Sequence, residues 1–122
     1  MQYLLLIYQN EAEADSAGEA ATKQMHEEYR TFTQSIIQAG HFKAGDALTR
    51  TSTATTVRVR NGKTMTTDGP FAETREQLGG YYLIEAKDLD QATAIAARVP
   101  SAKYGSVEVR PVRVMADIPR SL

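Results

Sequence analysis

Two carboxylates five residues apart, Asp68 and Glu73, flank the turn Asp68-Gly69-Pro70-Phe71. If that turn holds both over one cleft, their charges push their pKa values apart, leaving one as acid and the other as base. Proton transfer on a small molecule then needs a carboxylate of raised pKa and a positioned substrate, not a metal. The same residues also make a structural turn: Asp bonds nearby amides, Gly takes positive φ, Pro fixes the exit and Phe71 plugs the core. On that reading Glu73, Arg75 and Glu76 form a solvated helical turn capped by Gly79. Both readings stand at this point.

Arg58, Arg60 and Lys63 fall on one side of the preceding segment. They either guard a sheet edge in water or place Arg58 as a clamp for a carboxylate or phenolate. Tyr29, Tyr81 and Tyr82 are core aromatics first, with hydroxyls that can line a pocket. His26 sits about a quarter turn from the centre of its helix's apolar stripe, at the edge of the apolar face. His41, beyond the helix end, can bond terminal carbonyls. With two His and no Cys, neither a metal centre nor a thiol nucleophile is expected. Nor is a cofactor: there is no glycine-rich phosphate loop and no serine nucleophile elbow.

These side chains must be carried by one domain spanning residues 1–122, a length that buries an ordinary core. A net charge of −1 gives no general attraction to nucleic acid or an anionic membrane. The absence of Cys fits a reducing, cytoplasmic setting. The apolar start, Tyr3 to Tyr8, lacks the flanks of a signal peptide and is too short to span a bilayer. It reads as a buried first strand.

Residues 9–18 are small and acidic and read as a loop, with Ser16 and Glu19 at capping-box spacing. Met25, Tyr29, Phe32 and Ile36 make one apolar stripe, predicting a helix over 18–39 that Gly40 ends. Alternation on either side of Asn61-Gly62 predicts a hairpin, with Val57 and Val59 beside Thr66 and Thr64. Residues 80–86 form a strand, and Asp88 with Gln91 opens a second helix that Pro100 stops. Residues 107–115 form the last strand.

The order is strand, helix, strand or hairpin, strand, helix, strand. It predicts an α+β fold of ferredoxin-like βαββαβ plan with an added hairpin and both helices on one face of an antiparallel sheet. Leu4 and Leu6 on one side oppose Tyr3, Leu5 and Ile7 on the other, and Tyr81/Leu83 oppose Tyr82/Ile84 in the same way. The second apolar face needs a cover, and a second copy supplies it. A homodimer is expected.

The stretch from Thr67 to Tyr81, with Ala97–Gly105 and Val107–Val112, closely resembles the DGPF-type branch of the YCII-related (YciI-like) family. The resemblance runs along nearly the whole chain and implies a dimeric α+β barrel. YciI-type members have a His–Asp pair, and lyase-like dehydrochlorination of hydroxylated aromatics is known in the wider family. The resemblance puts their His eleven residues before the Gly that ends the long helix, which is Tyr29 here, with His26 one turn earlier. Their Asp precedes a Pro after the second helix, where this chain has Val99. That mechanism therefore does not carry over. The residues themselves lead to the expectation of a small-molecule site at the barrel mouth with Asp68 as base or anchor, Glu73 as partner, Arg58 as clamp, and Tyr29, Tyr82, Phe71 and His26 around the ligand. Any chemistry expected there is cofactor-independent acid–base work of lyase or isomerase type on an aromatic or hydroxylated compound. The alternatives are a non-catalytic sensing module and a regulatory accessory protein, since genes of this type often sit beside those of extracytoplasmic-function sigma factors.

Overall fold

The computed structural model describes residues 1–118. Its elements are β1 (Gln2–Gln9), α1 (Glu11–Ser16), α2 (Glu19–Gln38), β2 (Phe42–Ala47), β3 (Thr55–Arg60), β4 (Lys63–Asp68), β5 (Gln77–Glu85), α3 (Leu89–Ala96) and β6 (Ser106–Pro111). Short 3₁₀ turns lie at Thr51–Thr53 and Pro100–Lys103. Four strands form one antiparallel sheet in the order β2-β5-β1-β6, and β3 and β4 form a separate two-stranded ribbon. The mixed α+β architecture and the ferredoxin-like order of the main sheet follow the expected plan.

β1 runs down the middle of the sheet. Leu5 pairs with Tyr82 on one side and Val109 on the other. Because side chains alternate, Tyr3, Leu5 and Ile7 point one way and are buried with Tyr82 and Ile84 beneath the helices. Phe32 and Ile36 of α2, and Ala92, Ile95 and Ala96 of α3, close that core with Val99. Burying one such large side chain contributes about 1.5–3 kcal/mol. On the opposite face Leu4, Leu6, Tyr81 and Leu83 are only half-buried, and no helix covers them.

Several local expectations need correction. Residues 11–16 are a helix, not a loop, because Asn10 caps it by accepting from the Glu13 amide at 2.9 Å. The Ser16–Glu19 capping box does not form. Gly18, at φ 93°, opens α2 without a side-chain cap, and Ser16 bonds back to the Glu13 carbonyl. Residues 73–79 contain no helical turn, because Gly79 is the extra residue of a β-bulge in β5. Phe71 does not plug the core; it is 79% exposed. His41 satisfies a terminal carbonyl of α2 through its backbone amide, which donates to Ile36 O at 2.9 Å, while its ring bonds the Glu85 carbonyl at 2.8 Å. The last strand stops at Pro111, and α3 ends at Ala96, before Pro100, which begins a 3₁₀ turn.

Other expectations agree with the structure. Gly40 ends α2 at φ 81°, and Asn61 and Gly62 turn the ribbon at φ 51° and 74°. The ribbon register is Val57 with Thr66 and Val59 with Thr64. Asp88 caps α3 by accepting from the Gln91 amide at 2.9 Å, and Gln91 accepts from the Lys87 amide.

Candidate functional site

The apolar stripe of α2 lies over the β5–β2 half of the sheet, and the two surfaces part to leave a cleft of about 490 Å³. Tyr29, Thr33, Tyr82 and Ser101 line it, with His26 and Met25 on the α2 side. Ile7 and Phe42 supply apolar wall, and Gly45, Asp46 and Tyr81 come from the β2–β5 edge.

The position of the Tyr82 ring follows from packing. It meets Phe32 edge-on at 5.3 Å and Phe42 edge-on at 6.2 Å between centroids. Beneath it lies Gly45, where a Cβ would stand 2.7 Å from Tyr82 Cδ1. Only a residue without a side chain lets β2 approach the ring this closely. Held in this way, the Tyr82 hydroxyl shares a 2.6 Å hydrogen bond with Thr33 Oγ1.

A second phenol sits deeper in the polar network. Tyr29 donates to Ser101 Oγ at 2.7 Å, and Ser101 donates to Gln9 Oε1 at 3.2 Å. Ser101 is 3% exposed, so this chain of neutral groups satisfies a buried hydroxyl. Burial raises the pKa of both Tyr29 and Tyr82, partly offset by their hydrogen bonds to Ser101 and Thr33. Both phenols therefore stay protonated at neutral pH and act as hydrogen-bonding groups, not phenolate bases.

Asp46 accepts from the Tyr81 hydroxyl at 2.8 Å, which raises the tyrosine's pKa. His26 is exposed at the mouth of the cleft. No Lys or Arg is among the described residues that line this cleft.

The residues anticipated around one site thus fall in two places. Tyr29, Tyr82 and His26 share the cleft, together with Tyr81. Phe71 and Glu73 instead line a broader depression of about 940 Å³ at the base of the ribbon, beside Tyr8, Glu11 and Arg50. Asp68 ends β4 opposite Thr55, and Gly69 after it has φ 98°. Arg58 pairs with Met65 in the ribbon and is exposed. The ribbon base is itself tied to α1: Glu11 accepts from Thr51 N at 2.9 Å and Thr51 Oγ1 at 2.8 Å, and Asn10 donates to the Arg75 carbonyl at 3.1 Å. The two bonds from Thr51, the backbone one foremost, lower the pKa of Glu11.

Ser101, Gln9, Thr33 and Gly45 were not anticipated from sequence. Gln9 and Ser101 are far apart along the chain, and small polar residues near strand and helix ends carry no periodic signal. Among the described residues, no group of three or more His, Asp or Glu side chains is placed to hold a metal ion. No helix among them is long and apolar enough to cross a membrane.

A family model for the YCII-related domain matches residues 1–116. An uncharacterized protein of Rhizobium meliloti (strain 1021) is 34% identical over 114 residues, covering 92% of each chain. With the ferredoxin-like sheet and the cleft beside α2, these matches establish that the chain belongs to the YCII-related family.

Proposed function

We propose that this protein binds a small, uncharged aromatic or hydroxylated molecule in the cleft between α2 and the sheet, and does so as a homodimer. One observation carries the reading. Two phenols, Tyr29 and Tyr82, converge on a single apolar-walled cleft, each with its hydroxyl held by a neutral partner. Fixed neutral donors and acceptors on an apolar wall suit a flat ligand with hydroxyl or carbonyl edges. The lack of a lining cation argues against a carboxylate ligand.

The Asp68–Phe71 stretch supports a place in the DGPF-type branch of the family. The half-covered face bearing Leu4, Leu6, Tyr81 and Leu83 supports a second copy packed sheet to sheet, forming a dimeric α+β barrel. Proton transfer in this cleft falls to His26, whose imidazole both donates and accepts. The carboxylates of Asp68 and Glu73 belong with the ribbon base. Binding without turnover is favoured, because no carboxylate among the described residues is bonded to His26 to orient it.

Thermal melting with phenol, catechol and 4-hydroxybenzoate tests the reading on wild type, Tyr29→Phe, Ser101→Ala and Asp68→Asn. Phenol or catechol is expected to raise the melting temperature of wild type and Asp68→Asn, with a smaller effect on the two cleft variants. A shift lost in Asp68→Asn and kept in Tyr29→Phe would move the site to the ribbon base. No shift with any of the compounds would remove the support for this ligand class.

A further inference from the structure

The ribbon β3–β4 stands apart from the main sheet with every residue of both strands exposed except Thr56, which is half-buried. Two antiparallel strands alone are marginal in water. One face of this pair carries Val57 and Val59 beside Thr66 and Thr64, and each valine is 58% exposed. The other face carries Arg58, Arg60 and Lys63 with the single apolar side chain of Met65 among them. A half-buried ribbon has this pattern, apolar on the covered side and charged on the wet side.

The exposed area of the whole chain points the same way. It exposes 8894 Å², whereas a compact monomer of 13.4 kDa exposes about 6,500 Å². The difference, about 2,400 Å², matches what each partner of an obligate homodimer buries, roughly 1,000–2,500 Å². The ribbon shares this excess with the segment after β6, where Val114 and Ile118 are also exposed.

We infer that the ribbon is a dimerisation arm whose Val57–Val59 face is covered by a second copy of this chain. The inference rests on the proposed homodimer and adds to it, since the valine face belongs to a separate two-stranded sheet and not to the half-covered face of the main one. A two-fold pair lets each copy offer one arm and receive the other's, so both uncovered apolar surfaces are buried by a single symmetric contact. The Arg58, Arg60 and Lys63 side then faces solvent and keeps the ribbon from adding further strands.

Sedimentation equilibrium of the full chain tests this. Val57→Thr/Val59→Thr keeps the side-chain shape and the strand preference while placing hydroxyls in the contact. The double variant is expected to raise the dimer dissociation constant at least about tenfold. Arg58→Gln/Arg60→Gln is expected to change it less than about threefold. Cross-strand NOEs between positions 58 and 65 confirm that the ribbon stays folded in each variant. If wild type dimerises and the threonine variant, its ribbon intact, dimerises equally well, the arm is refuted while the dimer stands. A wild type that is monomeric throughout overturns both.

Discussion

Gly45 lies directly against the ring of Tyr82, close enough that a Cβ would also come within 3.2 Å of the Tyr81 carbonyl oxygen. The ring cannot simply turn aside, because Phe32, Phe42 and the Thr33 hydroxyl fix it from other directions. The cleft's geometry thus depends on a missing side chain in an edge strand.

Gly45→Ala is therefore expected to destabilise the fold by about 1–3 kcal/mol, the usual cost of overpacking. Denaturant titration measures it. In a Tyr82→Ala background the same substitution should cost markedly less, and a double-mutant cycle reads the difference directly.

Ser101→Ala should cost about 1–3 kcal/mol, because it leaves the buried ends of the Tyr29–Ser101–Gln9 chain unpaired. Tyr29→Phe should cost less, since Ser101 still donates to Gln9. Equal costs for the two variants would show that the chain does not work as a unit.

Stability should fall at alkaline pH. Burial places the folded pKa of Tyr29 and Tyr82 above their unfolded value, which is about 10. Their contribution is complete below that unfolded value and is lost as pH rises through the folded one. Thermal melting above about pH 10 should show the loss, and Tyr29→Phe/Tyr82→Phe should flatten the slope.

Glu11 behaves in the opposite sense. Its folded pKa is lowered, chiefly by the bond from the Thr51 backbone amide, so its contribution is present above the unfolded value and lost as pH falls through the folded one. The Thr51 amide resonance should report an apparent pKa below about 4.3, and Glu11→Gln should abolish that titration.

At the turn after β4, Asp68→Asn is expected to change stability by less than about 0.5 kcal/mol, since the side chain is exposed. Gly69→Ala should cost roughly 1 kcal/mol or more, because φ is 98° there. Equal effects from the two substitutions would revive the carboxylate as more than a turn residue.

The elements with strong periodicity or turn chemistry were legible: α2 from its stripe, the ribbon from Asn61-Gly62, and α3 from the Asp88 cap. β2 was not, because Phe-Lys-Ala-Gly-Asp-Ala has neither alternation nor β-branched residues. It is a strand by virtue of its pairing with β5, and Gly45, unfavourable in an isolated strand, is required by the ring beneath it. The site was half legible for a related reason. Aromatic residues advertise themselves, so Tyr29 and Tyr82 were anticipated, whereas Ser101 and Gln9 acquire meaning only once the Pro100–Lys103 turn and β1 meet. The carboxylates drew attention by type, and residue type does not say which depression a loop borders: Glu73 lines the one at the ribbon base.

The hydrogen bond from the Leu48 amide to the Gly79 carbonyl, 2.9 Å long, lies at the neck through which residues 49–76 leave the sheet and return. An excursion that exits and re-enters at neighbouring points is a detachable accessory. In descent it can lengthen, shorten or vanish without altering the strand order or the walls around Tyr29 and Tyr82. α1, fastened to it through Glu11 and Asn10, would lose its moorings, and Ser106 at the start of β6 would lose its bond to Glu76. The proposed arm and the proposed ligand cleft are therefore encoded in separate stretches of chain.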